Sequence, residues 1–245
     1  MIKKIAVAAM LVAAMGAAQA ETWRVSMEPT FAPFEFKDAK TGEMVGFDVD
    51  VIKAVGKAAG VEVQIQPMGF DAIIPAIISH TTDVGISGFT ITEERAKKVQ
   101  FTEPYYDAGL SIMVRKEDAK VLKDVDALKG RILCVQIGTS GAERAKQVPG
   151  AKLRQFNTMP ETYLELGNRG CEAIIADRPV HGYFMASSPR KAKVFTHLPQ
   201  LLQPEQYGIV TAKDRPEITS KVNKGLAAIR SDGTYAKIFK KWFGE

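Results

Sequence analysis

Apolar positions along this chain follow two periods in alternation. Short β-rich runs, Trp23 to Met27, Val61 to Gln66, Asp83 to Ser87, Ile132 to Gln136, Leu153 to Phe156 and Ala173 to Ala176, are bounded by turn residues or helix caps and predict strands. Helical patterns lie between them. Val49, Ile52, Val55 and Ala59 recur at helical spacing after Asp48, which reads as an N-cap, and Gly60 closes that helix. Thr158 with Glu161 has the spacing of a capping box for a helix ending near Gly170. Asp177 precedes a further helix with Pro179 close to its start, and Pro216 to Trp242 is helical with a break at Gly233.

Strand–helix alternation of this kind implies α/β architecture, with mostly parallel, doubly wound sheets and helices on both faces. Two smaller sheets fit better than one. An extended stretch, Tyr105 to Arg115, leads into the second series, and another, Glu205 to Thr211, precedes the final helices. The chain is therefore expected to leave one lobe, build a second and return, giving two doubly wound lobes joined by a two-strand hinge. The expected parts are residues 21–108 with 205–245 for the first lobe and 109–204 for the second.

The first twenty residues join a basic start, Lys3 and Lys4, to an apolar run from Ile5 to Ala14 and a small-residue end, Ala18-Gln19-Ala20. This is the pattern of a secretory signal peptide cut after Ala20. The apolar run is shorter than the roughly 20 residues of a membrane-spanning helix, and no Cys stands at the cut to take a lipid. A soluble periplasmic protein is the expectation. Removal of residues 1–20 takes the formal net charge from +5 to +3. Lysine pairs such as Lys97-Lys98 and Lys240-Lys241 lie among acids in helical segments, so they read as solvated faces and not as a nucleic-acid surface. Cys134 and Cys171 fall in or beside buried strands of one half. An oxidising compartment allows a bridge, but two apolar-strand cysteines pack well unpaired, and free thiols are expected ahead of it.

Candidate chemistry concentrates where strands end and helices begin. Thr92 reads as an N-cap followed by Glu93, Glu94 and Arg95. A cation in the first turn opposes the helix dipole unless an anion shares the spot, so Arg95 is either a carboxylate or phosphate receptor or the partner of Glu93, Glu94 or Glu103. Gly88 and Thr90 follow one strand; Gly138, Thr139, Ser140 and Gly141 follow another. Both places suit an anion. Asp177 at a third strand end suits an ammonium group or plain N-capping. A carboxylate clamp facing an ammonium acceptor describes a site for a free α-amino acid.

The motifs FAPFEF (Phe31 to Phe36), GFDVDVIKAV (Gly46 to Val55), FDAIIPAI (Phe70 to Ile77), TITEER ending at Arg95, FTEPYY (Phe101 to Tyr106), GTS (Gly138 to Ser140), QYGI (Gln206 to Ile209) and GTYAKIFKKWFG (Gly233 to Gly244) resemble a known family. They are similar to those of the periplasmic polar amino-acid-binding proteins of bacterial ABC importers, solute-binding protein family 3, a type II periplasmic-binding-protein fold. Glutamine binders and lysine, arginine and ornithine binders of that family look nearest, and the likeness runs from Trp23 to the C-terminus.

The resemblance implies that Arg95, Thr90 and the Thr139–Ser140 turn hold the ligand carboxylate. It further implies that Gly88 and Asp177 hold the ammonium, that Phe31 and Phe70 sandwich the side chain, and that the hinge bends near Ala108 and Glu205. The bland alternative for the two Phe residues is core packing. Three positions depart from the family pattern. Glu28 stands where these binders carry Asp, Gln136 where the glutamine binder carries Lys, and Ala176 where it carries His. Loss of a Lys beside an acid leaves a more negative side-chain pocket, which favours arginine or lysine over glutamine.

The implied partners are the amino acid and a membrane ABC permease, with a chemoreceptor as a further reader of the same closed form, and a monomer is expected. No cofactor and no metal are called for. His80, His181 and His197 lie away from the strand ends and lack metal-ligand spacing. An elimination enzyme on the same scaffold is the competing class, since fold does not fix function.

Overall fold

The protein is described from a computed structural model covering residues 21–244; the expected signal peptide lies outside the described residues. The described residues open with β1 (Thr22–Met27), a small meander of β2 (Thr30–Phe31), β3 (Glu35–Lys37) and β4 (Met44–Val45), then α1 (Phe47–Ala59), β5 (Glu62–Pro67) and α2 (Phe70–Ile78). The chain continues with β6 (Val84–Gly85), α3 (Glu93–Lys98) and β7 (Gln100–Phe101), and crosses out of this half along β8 (Tyr106–Arg115). The second half holds β9 (Ile132–Gln136), α4 (Ser140–Lys146), β10 (Lys152–Phe156), α5 (Met159–Gly167), β11 (Ala173–Asp177), α6 (Arg178–Ala186), α7 (Pro189–Val194) and β12 (Phe195–His197). The return strand is β13 (Gln203–Tyr207), followed by β14 (Val210–Thr211), α8 (Pro216–Ser231) and α9 (Thr234–Phe243).

Two main sheets result, in the order β5-β1-β6-β14-β7 and β10-β9-β11-β8-β12 with β13 on β8. Their centres are parallel, as β1 with β5 and β6, and β9 with β10 and β11. The antiparallel additions, β14, β8, β12 and β13, are the segments that leave, edge or return to each half. β8 and β13 run side by side with Ala108 opposite Glu205, so the two crossings form one paired ribbon between the halves.

Burial follows from this layering. Trp23, Val25 and Met27 of β1 are covered by Val49, Ile52 and Val55 of α1, with Val222 and Leu226 of α8 in the same cluster. β11 is buried at every residue, as expected of a central strand covered on both faces. In the second half Leu133, Val135, Ala173 and Ile175 pack with Ala142 and Ala145 of α4. α9 turns Tyr235, Phe239 and Phe243 onto Phe47, and Phe239 and Phe243 also onto Tyr106, at the base of the ribbon.

Two expectations need correction. Asp48 is not the cap of α1: Gly46 takes that place, and Asp48 sits inside the first turn, fully buried, with its carboxylate bonded to distant groups. Cys134 and Cys171 are not free thiols but a disulfide with Cα atoms 5.8 Å apart. Cys134 is paired in register with Ile174, and the chain bends at Glu172 before β11 begins, which brings Cys171 back beside it. The β2–β4 meander was not anticipated, its strands being two or three residues long.

The bridge closes a loop spanning 37 positions. A loop of that size implies a loss of roughly 3 to 4 kcal/mol on removal. Replacing both cysteines by serine is therefore expected to lower the urea midpoint clearly and to steepen the slope as the unfolded chain expands; an unchanged midpoint would show that the bridge contributes nothing to stability.

Candidate functional site

Every strand end singled out in the sequence points into the same cleft. Glu28 follows β1, Phe31 lies on β2, Phe70 opens α2, and Gly88 and Thr90 follow β6, with Arg95 on α3. From the other half come Gln136 at the end of β9, Thr139 and Ser140 at the start of α4, and Asp177 at the end of β11. Among the described residues, these ten line one small pocket between the halves. A wider groove among α5, α6 and α7 is lined mainly by aliphatic and aromatic side chains and lacks a comparable set of charges.

The alternatives for Arg95 are decided by its hydrogen bonds. Nη1 donates to the Thr90 carbonyl at 2.8 Å and Nη2 to the Gly138 carbonyl at 2.9 Å, so the side chain spans the cleft. The guanidinium carbon lies 5.5 Å from the ring centres of both Phe70 and Phe89, which are themselves stacked at 4.5 Å. Among the described residues it forms no ion pair with a carboxylate. Burial lowers its pKa, with Glu205, Asp177 and Glu94 opposing that shift from a distance. Thr92 caps α3 by accepting from the Arg95 N–H, as its place in the sequence predicts.

Asp177 ends its strand without making a side-chain cap. It is 4% exposed, and Oδ1 accepts from the Tyr207 hydroxyl at 2.5 Å. Burial, reinforced by the nearby Glu205 carboxylate, pushes its pKa up to about 7. Glu28 is 2% exposed and accepts from the Thr30 N–H and hydroxyl. Burial raises its pKa to about 7 as well, against the hydrogen bonds from Thr30 and Gln136. The Gln136 amide donates to the Asn157 carbonyl at 2.9 Å. Two carboxyls and one guanidinium thus face a small space, and among the described residues no side-chain cation is paired with either acid.

Gly88 has φ +55, and a Cβ there would stand 2.8 Å from the Phe31 ring. The turn can therefore approach the aromatic wall only as glycine. Thr139 is occupied within its own cap, donating to the Gln136 carbonyl and accepting from the Ala142 N–H. Phe31 and Phe70 are buried and cavity-lining at once, so core packing and wall are one role.

Sequence reasoning gave Glu205 only as a hinge marker. Its Oε2 accepts from the Thr90 hydroxyl at 2.8 Å and the Ser140 hydroxyl at 3.0 Å, one donor from each half. Tyr207, which orients Asp177, was also missed. The period-2 pattern of β13 puts Glu205 and Tyr207 on one face, and that was the available signal.

Comparison with known proteins bears on what such a cleft is. The model of the bacterial extracellular solute-binding proteins, family 3, matches residues 23–245. The chain belongs to this family. A relative from Escherichia coli (strain K12), ABC transporter arginine-binding protein 1, is 32% identical, covering 98% of this chain and 99% of that protein. An ancestral arginine-binding protein solved bound to glutamine is 40% identical over 93% of this chain and 100% of its own, with a TM-score of 0.87. An ancestral amino-acid-binding protein described as a precursor of cyclohexadienyl dehydratase is 38% identical over 91% of this chain and 95% of its own, with a TM-score of 0.83. For the family 3 chain described here, the two-lobed fold with a two-strand crossing is that of these relatives.

The elevated carboxyls have a consequence for stability. Glu28 and Asp177 hold protons more tightly folded than unfolded, so their stabilising contribution is complete below about pH 4 and is lost as pH rises through about 7. Asp83 is shifted the other way, to about 2, and is constant over that window. His181, buried with its pKa pushed down to about 3, and His197, also lowered by burial, act with the opposite sign below about pH 6.5, so the carboxyl contribution is read as a difference: the melting temperature of ligand-free Glu28→Gln relative to wild type is expected to rise between about pH 4.5 and 7.5. A difference that stays constant across the window would contradict the charge assignment of Glu28.

Proposed function

We propose that this family 3 chain is an exported, periplasmic receptor that binds a free polar L-amino acid between its lobes, arginine or lysine ahead of glutamine, and presents it to a membrane ABC permease. The supporting observation is the imbalance of the cavity: among the described residues Glu28 and Asp177 are buried acids without a paired cation, and Arg95 is a cation without a paired carboxylate. A zwitterion supplies both missing partners, its carboxylate to Arg95 beside Thr90 and Ser140, its ammonium to Asp177 and the Gly88 carbonyl. A second cation at the side-chain tip is what Glu28 lacks. Phe31 and Phe70 suit the aliphatic stem, and a guanidinium or ammonium near their faces gains about 0.5 to 2 kcal/mol.

In this reading the ten lining residues are the binding site, and closure follows from their distribution. Groups of both halves must touch one ligand, so ligand favours the form in which the halves meet. The bend is assigned to the ribbon around Ala108 and Glu205. Chemistry on the ligand is not part of the proposal, which fits a relative named for arginine binding. The dehydratase connection of another relative gives the competing reading, and Glu28 and Asp177 would be its acid and base.

Refolded protein freed of bound ligand should melt several degrees higher with arginine or lysine at 100 times the dissociation constant, a gain of about 2.7 kcal/mol. Recovered arginine should be chemically unaltered. Glu28→Gln should weaken arginine by roughly 10- to 100-fold, as expected for a charge-assisted bond of about 1.5 to 3 kcal/mol, while glutamine is hardly affected. A shift with glutamine alone would overturn the charge argument.

The pH dependence has a definite sign. Bound cations favour ionised Glu28 and Asp177, whereas ligand-free they titrate near 7. Arginine affinity should approach its plateau above that pH and fall below it, by up to about tenfold per unit for each proton displaced. Calorimetry between pH 5 and 8 in buffers of different ionisation heat would count those protons.

A further inference from the structure

Two acids of the FAPFEF and GFDVDV motifs, Glu35 and Asp48, take no part in lining the cavity, yet both are fully buried directly behind it. We propose that they form an acid pair sharing one proton, Glu35 as its donor and Asp48 as its acceptor, and that this pair fixes the positions of Glu28 and Gly88 for a cationic ligand. The positioning role rests on the amino-acid reading given above; the shared proton does not.

The geometry is a closed set of bonds with one piece missing. Ser87 Oγ donates to Glu35 Oε1 at 2.6 Å and accepts from the Glu28 N–H at 3.0 Å. Asp48 Oδ2 accepts from the Gly88 N–H at 2.9 Å and from the Tyr105 hydroxyl at 2.7 Å. The remaining oxygens, Glu35 Oε2 and Asp48 Oδ1, are buried and receive no bond from any N–H or hydroxyl. The Asp48 N–H is bonded to the Phe34 carbonyl, and the residues that hold the two acids, Ser87 and Gly88, are neighbours in the chain, so the two carboxyls lie side by side and each acts on the other. Two ionised carboxylates in contact, both out of water, would repel with nothing between them; one proton turns the same contact into a strong hydrogen bond.

The proton belongs on Glu35. Asp48 has two donors on its other oxygen and is the better-supported anion, whereas Glu35 has one hydroxyl. Burial and the neighbouring Asp48 and Glu28 carboxyls raise the Glu35 pKa well above the ordinary range. The groups acting on the pair are Glu28 after β1, Ser87 and Gly88 after β6 and Tyr105 before β8, with Tyr106 on β8 and Tyr235 on α9 farther off; among the described residues neither acid forms an ion pair with a lysine, arginine or histidine.

The pair therefore joins two segments that serve the cavity. Asp48 grips the Gly88 N–H, in a turn whose positive φ already presses it to Phe31. Glu35 grips Ser87, which holds the Glu28 backbone. Loss of the shared proton would drive the acids apart and move Glu28 and Gly88 relative to each other. With the proton in place, one negative charge remains beneath the cavity and favours a cation above it.

The test begins without ligand. Carboxyl carbon NMR on wild-type protein, assigned with Glu35→Gln and Asp48→Asn, should find Glu35 protonated and Asp48 ionised at pH 7, and the Gly88 amide proton shifted far downfield. Glu35→Gln, whose amide donates to Asp48 while its oxygen accepts from Ser87, should keep that amide shift and keep arginine affinity within about threefold. Glu35→Ala should move the Gly88 signal and lose tenfold or more in affinity. A Glu35 carboxyl titrating near the ordinary value of about 4.3, or Glu35→Gln losing as much as Glu35→Ala, would overturn the proposal. If no amino acid bound while both ligand-free signals behaved as expected, the acid pair would stand and the ligand reading would fall.

Discussion

Burying carboxyl groups away from cations is costly, and the cleft of this protein is arranged around that cost. Glu28, Asp177 and Glu205 line or adjoin it, and Glu35 and Asp48 lie behind it, all on the buried side of the molecule. Each is held by neutral donors: Thr30 for Glu28, Tyr207 for Asp177, Thr90 and Ser140 for Glu205, Ser87 for Glu35, and Gly88 and Tyr105 for Asp48. Neutral donors stabilise an anion less than a cation would, and the elevated pKa values of Glu28 and Asp177 express the remainder. Arg95 is the cation at this cleft, and its nitrogens are directed to two carbonyls.

Topology decides where this cost is concentrated. Parallel strands deliver their carboxyl ends to one side of a sheet, and two such sheets face each other across the β8–β13 ribbon. Side chains on short loops after β1, β6, β9 and β11 are then brought together without long insertions. Glu205 sits on the ribbon itself and takes one hydroxyl from each half, so the crossing strand is bonded to both halves.

Several features were legible because they depend on local spacing. The α5 capping box, the Thr92 cap, Gly60 closing α1 and the break at Gly233 arise from near neighbours. The ten cavity residues were legible for another reason: a strand-end rule combined with family-like motifs names positions without needing distances. Asp48 was misread because a polar residue before an apolar helical repeat looks like a cap. Only the approach of Gly88 and Tyr105, 40 and 57 positions away, shows it to be a buried acceptor. The cysteines were misread because pairing depends on the bend at Glu172, which no local pattern announces.

The sequence by itself determined the alternation of strands and helices, the two crossings and the residue types at the strand ends, since these follow from periodicity and from the chemistry of single side chains. Tertiary structure alone decided which groups found partners. Arg95 was left without a carboxylate, Asp177 was turned from capping toward Tyr207, Cys134 was joined to Cys171, and Glu35 was set against Asp48. The reason is that hydrogen bonds and ion pairs act over a few ångströms, and which distant residues come within that range is fixed only when the sheets pack.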